Sequence, residues 1–77
     1  MIDLTRYGFA ETKKDVNWIE CEGHNYRITV FDYLVKTSDG SEINRRTFTV
    51  STKQATSMPF PLDTLEQWLK DKNISIK

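Results

Sequence analysis

Between residues 16 and 50 the chain carries three runs rich in β-branched and aromatic residues, divided by two polar breaks, Glu22-Gly23-His24-Asn25 and Ser38-Asp39-Gly40-Ser41. Apolar runs bounded by Gly, Asn and Asp read as strands joined by tight turns. The strands are expected over 16–22, 25–37 and 42–50. Taking Gly23-His24 as a two-residue turn sets Cys21 against Tyr26, Ile19 against Ile28 and Glu20 against Arg27. Taking Asp39-Gly40 as a type I′ turn, in which both central residues need φ > 0, sets Phe31 against Phe48, Tyr33 against Arg46 and Lys36 against Ile43. Matched cross-strand pairs of this kind each contribute about 0.2–1 kcal/mol.

This folding sorts the apolar side chains onto two faces. Face one is expected to hold Val16, Trp18, Phe31, Tyr33, Val35, Phe48 and Val50. Face two is expected to hold Ile19, Cys21, Tyr26, Ile28, Val30 and Leu34, diluted by Asp32, Arg45, Thr47 and Thr49. Neither face is polar, so each needs a cover.

The period changes near the C-terminal end. Leu62, Leu65, Trp68 and Leu69 recur at helical spacing, with Glu66 and Lys70 placed as an i,i+4 pair. Asp63-Thr64-Leu65-Glu66 reads as a capping box, and Asn73 suits the left-handed residue that ends a helix. The helix is expected to lie on face one. Met58-Pro59-Phe60-Pro61 must run extended, because proline excludes a helix there. Ser51–Ala55 reads as a short helical turn, and Ile74-Ser75-Ile76 as an edge strand. The segment with Ile2, Leu4, Tyr7 and Phe9 reads two ways: as a strand pairing at a sheet edge, or as a partial cover for face two.

Composition narrows the class. Seventy-seven residues make one domain, with an arm (1–15), a meander (16–50), a connector (51–62) and a helix (63–73). Eleven basic residues balance eleven acidic ones, which weighs against nucleic acid as the partner. The single Cys21 excludes an internal disulfide framework and points to a reducing compartment. No apolar run approaches the roughly 18–20 residues that span a bilayer, and Met1–Arg6 does not resemble a secretory leader. A cytoplasmic location and no membrane association are expected.

Candidate chemistry is sparse. His24 and Cys21 are the only residues of their types, so no zinc set of conventional composition can be drawn from one chain. His24 reads as a solvated turn residue and Cys21 as a small buried apolar group. Asp39 serves a turn and Asp63 a cap. Asp32 stands mid-strand without such a role, answering Lys36 or Arg45, guarding the sheet against edge association, or meeting a partner's cation. Only three glycines are present, and none builds a phosphate-cradling loop. No catalytic set, cofactor or small-molecule ligand is expected.

Four features together resemble the small phage-encoded anti-CRISPR proteins that bind type I-F surveillance complexes. They are Gly23-x-x-Tyr26-x-Ile28, the Gly40 turn, Arg46-x-Phe48 and Leu65-Glu66-x-Trp68, within residues 17–69. The arm and the Pro59/Pro61 connector depart from that pattern. The resemblance implies a non-enzymatic inhibitor that occupies a site on a bacterial immunity complex in the host cytoplasm.

The expectation is an α+β domain, a three- to four-stranded antiparallel β-meander with one C-terminal α-helix packed on one face. Its partner is a protein or a second copy of itself, met through face two or a sheet edge by Tyr26, Ile28, Asp32, Leu34 and Arg45. Two alternatives stand beside it: a homodimeric structural or assembly protein, and a weak single-strand nucleic-acid binder using Lys13, Lys14, Arg27, Arg45 and Lys53.

Overall fold

The computed structural model describes residues 3–76. Strands β1 (Ala10–Lys14), β2 (Trp18–Gly23), β3 (Tyr26–Lys36) and β4 (Glu42–Ser51) form one antiparallel sheet in that order, and helix α1 (Leu62–Asp71) follows. The α+β meander with one C-terminal helix is therefore observed. The face on which the helix packs is not the expected one.

The reason lies in a single turn residue. The β3–β4 connection is the three-residue loop Ser38-Asp39-Gly40, with only Gly40 at positive φ (87°). Thr37 N–H donates to the Ser41 carbonyl (2.8 Å) and Gly40 N–H to that of Thr37 (3.1 Å). This is a type I turn completed by a left-handed glycine, not the two-residue type I′ turn expected. The Asp39 carboxylate accepts from the Thr37 hydroxyl and from Ser41 N–H, and these bonds pull its pKa down to about 2. The extra loop residue moves β4 by one position, which carries every side chain on it to the other face. Phe48 now pairs with Val30 and Val50 with Ile28, both on face two.

The β2–β3 turn also differs, with a smaller effect. His24 (φ 52°) and Asn25 (φ 68°) are its central residues, so Gly23 stands opposite Tyr26. The register moves by two positions and face assignments are kept. Cys21 pairs with Ile28, Ile19 with Val30, Trp18 with Phe31 and Glu22 with Arg27. Gly23 is required for a steric reason, since a Cβ there would lie 2.6 Å from the Gly8 carbonyl oxygen.

Face two thus holds Ile19, Cys21, Tyr26, Ile28, Val30, Phe48 and Val50, and α1 covers it. Leu65 and Leu69 are buried against Ile28, Phe48 and Val50 in one cluster with Leu4, Phe9, Cys21 and Ile74. Each large apolar side chain buried there contributes about 1.5–3 kcal/mol before ordering entropy is set against it. Of the two readings of the N-terminal segment, the cover for face two holds for Leu4 and Phe9, while the strand at the sheet edge begins only after them, at Ala10. A 3₁₀ turn (Leu4–Tyr7), capped by Asp3 and closed by Gly8 at φ 89°, places Leu4 and Phe9 in this core, and β1 pairs at the edge of β2. Ile2 lies outside the described residues.

The helix starts one residue early, at Leu62. Its N-cap is Pro61 with no side-chain cap bond, so the expected Asp63 capping box does not form and Asp63 sits in the first turn. Its end follows expectation. Asn73 is left-handed (φ 59°), its N–H donates to the Lys70 carbonyl (3.0 Å), and Ile74 N–H donates to that of Leu69 (2.9 Å). This Schellman closure turns Ile74 into the core instead of onto a sheet edge. The connector is extended at Phe60, which exchanges two 2.9 Å hydrogen bonds with Phe48. Ser51–Ala55 is a strand end and a turn closed by Thr52 N–H donating to the Ala55 carbonyl (2.8 Å), not a helix.

Candidate interaction surface

The consequence of the β4 register is an uncovered face. Face one carries Trp18 from β2, Thr29, Phe31, Tyr33 and Val35 from β3, and Ile43, Arg45, Thr47 and Thr49 from β4. No helix among the described residues lies over it. Trp18, Phe31 and Thr47 form one row across three strands, followed by Tyr33 beside Arg45 and then Val35 beside Ile43. Phe31, Tyr33 and Ile43 are 39%, 44% and 42% exposed, which for large apolar groups within a regular sheet marks a surface left without a neighbour. Val16, in the β1–β2 connection, is 91% exposed.

Charge is unevenly spread over this face. At the end near the β2–β3 turn, Arg27 Nε lies 2.9 Å from Glu22 and 3.3 Å from Glu20, and these partners hold its pKa above the usual value. At the far end Arg45 is exposed and makes no ion pair among the described residues. The face therefore offers an aromatic and β-branched strip with one uncommitted cation beside it.

The residues expected to meet a partner fall in different places. Ile28 is fully buried beneath α1, so it belongs to the domain's own core. Tyr26 is half-buried on the same side and packs edge-on against Trp68, with ring centroids 4.8 Å apart. The expected pairing of two copies through face two is thus blocked by the helix. Asp32 pairs with Arg46, not with Lys36 or Arg45: Nε and Nη2 of the guanidinium donate to its two carboxylate oxygens at 2.7 and 2.9 Å. That bidentate bond lowers the Asp32 pKa and raises that of Arg46. Leu34 is 67% exposed on face two, beyond the reach of the helix. Arg45 is on face one, opposite Tyr33, and not beside Leu34. Of the five, only Arg45 lies on the uncovered face, and Leu34 lies at the sheet edge next to it.

The sequence contains a signal for the correct register. Pairing β3 and β4 as observed sets Val30 on Phe48, Ile28 on Val50, Val35 on Ile43, Asp32 on Arg46 and Lys36 on Glu42. Every one of these is apolar with apolar or acid with base, which the two-residue turn cannot match.

Cys21 is buried, and its thiol pKa is raised by burial first and then by the charges of Glu11, Asp3 and Glu20, the reverse of what a nucleophile needs. His24 Nε2–H donates to the Tyr7 carbonyl (2.7 Å) and its ring meets Phe9 edge-on at 5.2 Å. The histidine therefore ties the N-terminal turn to the β2–β3 hairpin. Among the described residues no group of three or more His, Cys, Asp or Glu could hold a metal ion, and no helix is long and apolar enough to cross a membrane. A cleft of about 300 Å³ opens on the helix-bearing side, floored by Ile19, Cys21, Val30 and Phe48. No protein-family model, curated protein or solved structure matches the chain.

Proposed function

We propose that the chain is a non-enzymatic protein-binding module whose contact surface is face one, centred on Phe31, Tyr33 and Ile43 with Arg45 as the charged contact. The observation that carries this reading is the aromatic and β-branched strip left in solvent after α1 has covered the other side. Aromatic residues and Arg are the side chains on which protein interfaces concentrate their energy. The resemblance to type I-F anti-CRISPR proteins supports a bacterial surveillance complex as the class of partner, and the host cytoplasm as the place. A tagged chain and its Tyr33→Glu and Ile43→Glu variants, used to capture proteins from a bacterial lysate, test the reading. A partner held by the parent and lost by both variants, with unchanged circular dichroism, is the expected result. Retention of the same partner by both variants would sink it.

A second reading rests on the same strip. Phe31 and Tyr33 are exposed on one side of a central strand with Arg45 alongside, an arrangement on which unpaired bases can stack. The balanced charge weighs against it. Binding of an oligothymidylate that weakens steeply with salt and is lost in Tyr33→Ala would favour it over the protein partner.

A further inference from the structure

We propose that the edge of β3 from Asp32 to Lys36 is a docking site for an extended peptide segment of another protein, which joins the sheet as an added strand in line with β2. The proposal rests on the reading of the chain as a protein-binding module, but it uses the rim of the sheet, not its face.

Hydrogen-bond alternation identifies the site. Thr37 N–H donates to Ser41 in the direction of β4, so the odd-numbered residues of β3 turn their peptide groups that way. Asp32 N–H donates to the Asn17 carbonyl at 2.8 Å, so the even-numbered residues point to the β2 side. There β2 has already ended. The chain ahead of Trp18 turns back, with Asp15 N–H donating to the Trp18 carbonyl at 2.8 Å. Leu34 and Lys36 are left with donors and acceptors on that side and, among the described residues, no strand beside them. A notch of about 640 Å³ opens at this point, lined by Val16 and Asn17 ahead of β2, by Phe31, Asp32, Tyr33 and Leu34 of β3, and by Asn44 of β4.

The other edges are guarded. The strand β1 carries a bulge between Glu11 and Lys13 and presents Lys13 and Lys14, devices that discourage pairing. The outer groups of β4 at Phe48 and Val50 are taken by Phe60 and Ser57, and further out the edge is lined by Glu42, Asn44 and Arg46. The β3 edge has no bulge and no proline; Asp32, its charge already met by Arg46, and Lys36 bracket Leu34 there, with Tyr33 and Val35 on the other face.

The edge also selects its occupant. A second folded copy meeting this edge would pair across Asp32–Lys36 alone, far short of the roughly 20–30 residues a side in a stable interface. A flexible strand can pair with Leu34 and Lys36 and also enter the notch, with backbone bonds giving affinity and alternate side chains giving selectivity. Its apolar side chains would lie beside Phe31, Tyr33 and Val35 on face one. Its polar ones would lie toward Leu34 and the Asp32–Arg46 pair.

The probe is acetyl-Lys-Thr-Val-Thr-Val-Thr-Val-amide, titrated to about 2 mM into the ¹⁵N-labelled chain, enough to reveal a Kd near 1 mM. The expected result is saturable amide shifts centred on Leu34 and Lys36, with cross-peaks between peptide and β3 backbone protons. Binding should weaken at least tenfold in Leu34→Pro, where the N–H removed takes no part in the β3–β4 ladder. The same peptide N-methylated at every residue should produce no shifts with the parent chain, a control that needs no folded variant. Absence of shifts, shifts centred on β1 or β4, or an equal response to the N-methylated peptide would overturn the proposal. Shifts confined to Trp18, Ile43 and Thr47 would also overturn it, while leaving the face reading in place.

Discussion

Replacing Ile28 and Phe31 by alanine, one at a time, sets the observed face assignment against its opposite. Ile28 is fully buried under α1, whereas Phe31, three residues on, is 39% exposed on the far side of the sheet. Ile28→Ala removes about three carbon groups, worth about 0.8 kcal/mol each in transfer, or about 2.4 kcal/mol. The cavity left behind adds to this, bringing the cost to about 3–4 kcal/mol within the observed range for such truncations. Phe31→Ala removes a partly solvated ring whose cross-strand neighbours are Trp18 and Thr47, costing about 1 kcal/mol or less. A 77-residue domain has about 4–12 kcal/mol of stability at roughly 0.05–0.15 per residue, so Ile28→Ala spends a large share of it. Urea unfolding followed by tryptophan fluorescence reads the difference. At a slope of about 1.5 kcal/mol per molar, the midpoint should fall by about 2–3 M for Ile28→Ala and by less than about 1 M for Phe31→Ala. Equal shifts, or the reverse order, would place the helix on the other face and remove the basis for the candidate surface.

The two turn-region glycines should respond to alanine in different ways. Gly40→Ala meets nothing within 4 Å, so only its positive φ is penalised, by about 1 kcal/mol. Gly23→Ala drives a Cβ to 2.6 Å from backbone at Gly8, and thermal unfolding should show the larger loss, about 2 kcal/mol or more. For Asp39 the carboxyl pKa is lower folded than unfolded, so its contribution is present above the unfolded value of 3.8 and fades as pH falls toward about 2. A carboxyl-carbon NMR titration should place its midpoint near 2, and a midpoint near 3.8 would show that the Thr37 and Ser41 bonds do not hold in solution.

Much of the architecture was legible in the residues, because period and punctuation act locally. The three strands, the extended Pro59–Pro61 segment and the Asn73 stop each follow from what a few neighbouring residues permit. Facing was not legible in the same way. It depends on whether Ser38 is the last strand residue or the first loop residue, and Asp-Gly suits both a two-residue turn and the end of a three-residue one. Local turn chemistry does not separate these, whereas the longer-range pairing of Asp32 with Arg46 and Lys36 with Glu42 does. The misplaced candidates share this cause. A two-residue turn sends Phe48 and Val50 to face one and leaves Ile28 and Tyr26 uncovered, whereas the observed register brings all four to the same side. The helix start differs for another reason: Pro61 already supplies the non-helical entry, so Asp63 falls two positions past the cap, within the first turn.

The burial of Leu4, Phe9 and Ile74 on one side of the sheet has a practical result. Leu4 and Phe9 from one terminal segment, and Ile74 from the other, are buried in the same cluster on the helix-bearing side. Reporters placed within either of these described segments therefore start on the helix-bearing side of the sheet, opposite Phe31 and Tyr33. A fluorescent label carried there leaves the aromatic front clear, so the surface under test is read without being masked.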